Sequence, residues 1–259
     1  MAINANASLK AKHIAVVAGT GGGKTAAVKL SGKVGDCVAI FDPYAGYKYD
    51  GRVKSHFNGL GGRRVFHFYD RKSFATAFVS AWRSGLKFVL AYTPTIDNTL
   101  PDKKQREARK AELHWFGRLM WEASDGKREL FVVIEELAKM SDTVGRDDSI
   151  IGELASGGRQ FGIVLVTIFQ RSQEVAKTIW NNSPNKLLGA QESMNDAEAI
   201  AKEFSIPVSD VIKLSKLNDK YEDKRLHYIV KGKGLGNVSS MYIDLKTAKT
   251  HNFNLETAA

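Results

Sequence analysis

Apolar residues in this chain fall in short unbroken runs rather than in alternation with polar ones. HIAVVA from His13, VAIFD from Val38, RVFHFY from Arg64, KFVLAY from Lys87, LFVVI from Leu130 and IVLVTI from Ile163 are rich in β-branched and aromatic residues, which suit a pleated strand. A strand with one wet face alternates, whereas a strand covered by helices on both faces does not. The six runs therefore predict buried strands of a mostly parallel sheet in an α/β protein. Helical spacing occupies 24–30, 71–83, 102–123, 150–161 and 196–204. In 102–123, Leu113, Phe116 and Met120 mark an apolar face while Lys103, Lys104, Arg106, Arg109 and Lys110 crowd the first turns. That helix begins charged and ends amphipathic. Trp115, Phe116 and Trp121 stand at helical spacing and read as core residues. Further on, LHYIVK from Leu226, the glycine-rich KGKGLGN and SMYIDL from Ser240 predict an antiparallel pair closing the sheet.

With 259 residues and 43% hydrophobic content, the chain can bury one large α/β core or two small ones. There is no internal repeat or low-complexity linker, so a single domain over 1–259 is expected. No run of about 18 apolar residues occurs, and MAINANASLK lacks an apolar stretch, which reads as an unexported protein without a membrane span. Cys37, the single cysteine, adjoins Val38, Ala39 and Ile40 and is expected to be a small buried side chain in a reducing compartment. Lys and Arg number 38 against 28 Asp and Glu, a net charge of +10 that favours a polyanionic partner. The six histidines show no metal-ligand spacing, and no zinc site is assigned to them.

The sharpest chemical signal is AGTGGGKT at 18–25, which follows the first strand and opens a helix. Gly19, Thr20, Gly21, Gly22 and Gly23 let the backbone curl so that several N–H groups face phosphate oxygens. Lys24 would reach the β and γ phosphates of ATP, and Thr25 would give its hydroxyl to Mg2+. The motif departs once from G-x-x-x-x-G-K-[ST], with Ala18 at the first glycine. LFVVIEEL at 130–137 is an apolar strand ending in two carboxylates. Placed beside the phosphate loop, it would deliver Glu135 to the metal and Glu136, as the base, to the attacking water.

Beyond these motifs, GRQFGIVLVTIFQRSQEVAKTIWNNSPNKLLG at 158–189 resembles the FtsK-HerA block: a glycine-arginine helix end, an apolar strand, then a Gln-Arg pair followed by Glu-Val. FDPYAGY at 41–47 is similar to the aspartate-proline turn of HerA-like proteins, and TGGGKT resembles that superfamily's phosphate loop. The resemblance spans about 12–190 and leaves a carboxyl-terminal extension over about 191–259. It implies a RecA/ASCE-like P-loop NTPase fold and, by similarity to the compact packaging ATPases of tailless, membrane-containing viruses, a motor that pumps double-stranded DNA into a preformed capsid. Gln170 would then sense the γ phosphate or orient the lytic water. Arg159 would reach into a neighbour's site, with Arg171 as the rival for that role. Asp42 would support the metal or water, or else form the turn. The implied partners are a self-assembled ring, hexameric by resemblance, sequence-independent duplex DNA and capsid vertex proteins. The implied location is the host cytoplasm during assembly, then a packaging vertex of the virion. A membrane-associated phage-assembly or conjugation-type pump, and a nucleotide-binding structural protein without turnover, are the alternatives.

A pore that grips phosphates without reading bases needs only cationic loops. The candidates are 103–110, the loop 59–64, the stretch 213–224 and the turn Lys231, Gly232, Lys233, Gly234.

Overall fold

The six apolar runs are strands of one sheet in the computed structural model, which describes residues 5–140, 145–234 and 236–255. The first four residues of the polar amino terminus and Leu235 of the glycine-rich turn lie outside those described. In chain order the strands are β1 (Ile14–Val17), β2 (Cys37–Phe41), β3 (Phe66–Phe68), β4 (Phe88–Tyr92), β5 (Leu130–Ile134), β6 (Ile163–Phe169), β7 (Asn185–Leu188), β8 (Arg225–Lys231), β9 (Val238–Asp244) and β10 (Thr250–Phe253). They lie in the order β10-β9-β8-β7-β1-β6-β5-β2-β4-β3. The seven from β7 to β3 run parallel, and β8, β9 and β10 continue the sheet antiparallel.

The helices are α1 (Lys24–Leu30), α2 (Arg71–Ser84), α3 (Asp102–Ala123), α4 (Ile150–Ser156), α5 (Lys177–Asn182), α6 (Met194–Phe204) and α7 (Val208–Lys220). Strand parity divides the core in two, because successive side chains leave a strand on opposite faces. Ala15, Val17, Ala39, Phe41, Val132 and Ile134 face a layer that includes Phe74 and Phe78 of α2 and Leu113, Phe116 and Met120 of α3. Ile14, Val16, Val38, Ile40 and Val133 face Ala27 and Val28 of α1 together with Tyr47, Leu60 and Val65 of the loop after β2. Phe116 and Cys37 are buried as expected, whereas Trp115 and Trp121 are only partly buried and pack against the first layer from outside.

The pattern misled in four places. The RVFHFY strand is the sheet's edge and is not buried, with Phe66 45% exposed. The helix expected over 150–161 ends at Ser156, and Gly158–Phe161 form a separate 3-10 turn. Trp121 crowds Gly157 there, since a Cβ on that glycine would sit 3.2 Å from the indole. The closing pair has a third strand, β10, whose THNF carries one apolar residue. Finally, β5 does not adjoin β1, because β6 lies between them.

Among the described residues no helix is long and apolar enough to cross a membrane. Phe74 is fully buried and meets Phe68, Phe78, Tyr92, Trp115 and Phe116. Truncating such a ring leaves a cavity on several sides, so Phe74→Ala should destabilise the protein by about 3–5 kcal/mol, read as a lower urea midpoint at unchanged slope.

Candidate nucleotide-binding and hydrolytic site

β1 ends at Val17 and α1 begins at Lys24, so the loop between them must reverse sharply. It does so through Gly21 and Gly23, both at φ 73°, a conformation that L side chains rarely adopt. The Gly22 N–H donates to the Gly19 carbonyl at 3.1 Å. A Cβ on Gly22 would stand 2.8 Å from the Ala18 Cβ and 3.0 Å from the Gly19 oxygen, so the cradle closes only around glycine. The Lys24 ammonium is folded into the loop and donates to the carbonyls of Ala18 (3.0 Å) and Gly19 (2.7 Å). Two residues outside the motif brace it. The Tyr228 hydroxyl of β8 donates to the Gly23 carbonyl at 2.8 Å, and the Gly19 N–H donates to Ala190 at 2.8 Å.

Interposition of β6 places Gln170 between the loop and the acid pair. Its amide nitrogen donates to Glu136 Oε1 at 3.3 Å, and its amide oxygen lies 3.5 Å from the Thr20 hydroxyl. A polar chain Thr20–Gln170–Glu136 thus runs along the carboxyl edge of the sheet from phosphate loop to carboxylate. Glu136 has φ 54°, and a non-glycine residue there is uncommon and costs on the order of 1 kcal/mol. The turn swings its side chain toward Gln170.

Glu135 goes the other way, into the interior. Its Oε1 accepts the Tyr47 hydroxyl at 2.7 Å, and its carboxyl also bonds the Thr25 side chain. Asp42 does not reach the carboxyl. Its oxygens accept the N–H groups of Gly46 (2.8 Å) and Tyr47 (3.0 Å), which makes it the turn former. Lys29 ties the same loop to α1 through the carbonyls of Gly46 (2.7 Å) and Phe57 (2.9 Å). Sequence reading missed Tyr47 and Lys29 as parts of the site. The tyrosine stands inside the FDPYAGY segment, so position was available as a signal, but its reach across to Glu135 was not.

The two candidate finger arginines lie at opposite ends of the strands. Arg159 is near the amino ends of β1 and β6, and its guanidinium donates to the carbonyls of Ala7 (3.0 Å) and Leu9. Arg171 follows Gln170 on the carboxyl edge of the sheet and pairs with Asp196 at 3.0 Å and Glu174 at 3.8 Å. Of the basic loops, Arg63 is spent on the carbonyls of Gly35 and Val34, and Lys231 on that of Glu203.

No protein-family profile matches the chain. Protein P9 of Pseudoalteromonas phage PM2 is 27% identical over 105 residues, which is 40% of this chain and 48% of P9. The match therefore spans about half of that relative's length. The bacterial conjugative coupling protein TrwBΔN70 superposes with a TM-score of 0.57 at 12% identity, over 90% of this chain and 85% of its own. VirB4 of Thermoanaerobacter pseudethanolicus does so at 0.52 and 12%, over 95% and 90%. These likenesses show the fold, an α/β P-loop NTPase architecture with a mostly parallel sheet. The genome packaging NTPase B204 of Sulfolobus turreted icosahedral virus 2, in complex with ATP-gammaS, is similar over 95% of this chain and 98% of its own, at TM-score 0.46 and 14% identity.

In this P-loop fold the donor set fits a magnesium nucleotide. The Thr25 hydroxyl and the Glu135 carboxylate are hard oxygen donors, few enough to leave positions for water and phosphate. Among the described residues no cluster of three or more His, Cys, Asp or Glu side chains forms an all-protein cage, and magnesium at phosphates does not need one.

Burial pushes the Glu135 carboxyl up to about 7, with the hydrogen bonds from Tyr47 and Thr25 opposing and the charges of Asp42 and Glu136 adding to the rise. The unfolded chain releases that proton near 4.5. Between these values the native state binds more protons than the unfolded state, so this group's contribution to stability falls as pH rises through the window. Glu135→Gln removes the buried charge and keeps an acceptor for Tyr47. It should raise the melting temperature at pH 8 but not at pH 4, equivalent to about 1–3 kcal/mol, while weakening the magnesium dependence of nucleotide binding.

Proposed function

We propose that this protein hydrolyses ATP to move double-stranded DNA, and that it is a genome-packaging motor filling a preformed capsid. The polar chain Thr20–Gln170–Glu136 carries the reading. It joins the group that would cradle phosphate to a carboxylate within hydrogen-bond reach of an amide, as an enzyme that activates water requires. A site that only held nucleotide would need Lys24 and the glycines but not this connection.

Lys24 would exchange its two loop carbonyls for β and γ phosphate oxygens on binding. Gln170 would hold the attacking water by its amide and keep Glu136 aimed at it. Glu136 would accept that water's proton as the bond to phosphorus forms. Magnesium, held by Thr25 and Glu135, would offset the phosphate charge. Glu135 must then be ionised, and the nearby cation lowers the cost of ionisation that burial imposes.

The DNA cargo is supported by the net charge of +10 and by the sequence resemblance to packaging ATPases. Sequence-blind phosphate contacts would make binding salt-sensitive. The working form would be a ring, six-membered by that resemblance, seated on capsid vertex proteins. It would assemble in the host cytoplasm and stay at the packaging vertex. Arg159 or Arg171 would complete a neighbour's site, since such a group is typically worth about 10³ to 10⁵ in rate.

Steady-state hydrolysis with and without duplex DNA tests the whole. DNA should stimulate turnover. Glu136→Gln should lower kcat by about 10² to 10⁴ with nucleotide binding retained, and Lys24→Ala should lose both. ATP binding without turnover in the wild type would leave only a nucleotide-binding structural protein. For the arginines, wild-type and variant subunits are mixed. A finger in trans poisons its neighbours, so activity falls faster than the wild-type fraction. If Arg159 serves only to tie the amino terminus, Arg159→Ala lowers the melting temperature and mixed activity stays proportional to the wild-type fraction.

A further inference from the structure

The carboxyl edge of the sheet continues past Glu136, on the side away from the phosphate loop, into a cavity of about 210 Å³. Its walls come from the turn after β2, the turn after β5 and the first turns of α3. Tyr44, Gln105, Arg106 and Arg109 line it together with Glu136 itself. Asp102 adds one carboxylate at the helix start. Two guanidiniums therefore share a small recess with the carboxylate read above as the base.

Arg106 and Tyr44 stand exposed at the recess, and its inner wall is held by Gln105 and Arg109. Gln105 donates to the carbonyls of Asn98 (3.2 Å) and Leu100 (2.8 Å) and accepts from the Arg109 guanidinium at 3.1 Å. Arg109 is thus held by a side chain that is itself fixed to the preceding loop, and it stays only part-exposed. Lys103, Lys104 and Lys110 stand on the same turns, so the segment from Asp102 to Lys110 carries five cations against two carboxylates. That excess of positive charge favours entry of an anion.

We propose that this cavity is a phosphate-oxyanion site that reports its occupancy to Glu136. Guanidinium suits the role because its planar fork meets two phosphate oxygens at once. The phosphate would come from a DNA backbone or from the hydrolysed nucleotide, and both present the same oxygens. An anion seated between Arg106 and Arg109 shares one recess with Glu136 and changes the field there, because salt screens partly buried charges less than exposed ones. A backbone phosphate in the site would tie DNA contact to turnover. A freed phosphate would instead leave by this recess. The inference rests on Glu136 being the base, and it assigns the first turns of α3 a role that the sequence shared equally among four basic segments.

The test compares the wild type with Arg106→Gln/Arg109→Gln. Arg106→Lys/Arg109→Lys keeps the charge, and Lys246→Gln/Lys249→Gln serves as a charge-matched control at the far end of the sheet. Binding of a labelled duplex is titrated with salt, turnover is measured with and without that duplex, and inorganic phosphate is added as product inhibitor. If DNA supplies the phosphate, the glutamine pair makes the slope of log affinity against log salt shallower by about 2, one per cation lost. The ratio of stimulated to basal turnover then falls toward one, while inhibition by phosphate is unchanged. If the freed product is the ligand, phosphate inhibition weakens several-fold and the DNA response survives. In either case the lysine pair recovers the salt slope or the inhibition in part, and the control pair matches the wild type. A folded glutamine variant, judged by its melting temperature, with both responses intact overturns the site. So does a control pair that reproduces the loss. A wild type without ATP turnover defeats the ATPase reading, and the salt slope of duplex binding then decides this inference alone.

Discussion

A carboxylate enclosed by the protein core sets most of the geometry of this site. Five apolar residues bury β5 on both faces, so the next residue, Glu135, starts from a position already out of water and is only 7% exposed. Burying a charge that way is costly unless it is paired or hydrogen-bonded. The loop after β2 answers this need by bringing the Tyr47 hydroxyl to it at 2.7 Å. Tyr47 can reach only because Asp42 accepts two successive backbone N–H groups and turns the chain at Gly46. Lys29 then locks that turn to α1 and supplies a positive charge that both Asp42 and Glu135 favour. Each contact supports the one before it, and the chain of dependence ends at a carboxyl group that β5 carries out of water.

The order β1-β6-β5 has a chemical consequence. Were the acid strand next to the phosphate loop, Glu136 would lie one strand spacing, about 4.8 Å, from β1. With β6 between them the gap is about twice that, wide enough for a terminal phosphate and a water. Gln170 stands at the end of the intervening strand and bonds toward both sides. The left-handed turn at Glu136 belongs to the same solution. Two carboxylates in succession on an extended strand would point to opposite faces. The turn instead keeps both at the strand end, one facing Tyr47 and Thr25 and the other facing Gln170.

Most of the fold was legible because burial on both faces writes itself as unbroken apolar runs. β1, β2, β4, β5 and β6 lie within those runs or within one residue of them. What failed did so where local pattern carries little information. Strand order is one such case, since nothing in LFVVI says which neighbour it chooses. β7 is another: its four residues, NKLL, are too short for a period. α7 was hidden because Lys213, Lys216 and Lys220 read as a basic stretch, although Val211, Leu214 and Leu217 form a buried face at helical spacing. The glycine-rich loop and the acid pair could be picked out as candidates because each is a local motif at a strand end, and Gln170 only through the resemblance of 158–189. Tyr47 and Lys29 were not, because their roles depend on a loop crossing the sheet's edge.

The carboxyl-terminal strands are more than a lid on an exposed edge. The phosphate loop has to hold two left-handed glycines open, and Gly21 and Gly23 alone would leave that segment free to relax, since glycine visits many conformations in the absence of restraint. β8 removes this freedom from one side through the Tyr228 hydroxyl on Gly23, with Leu226 against the same glycine. The segment after β7 removes it from the other, with Ala190 accepting from Gly19 and Glu192 packed where a Gly19 side chain would be. Tyr228 is fully buried, so this hydrogen bond to Gly23 is shielded from water. An antiparallel extension attached to β7 therefore braces the loop at the heart of the parallel sheet, through the Tyr228 hydroxyl and the Leu226 side chain together.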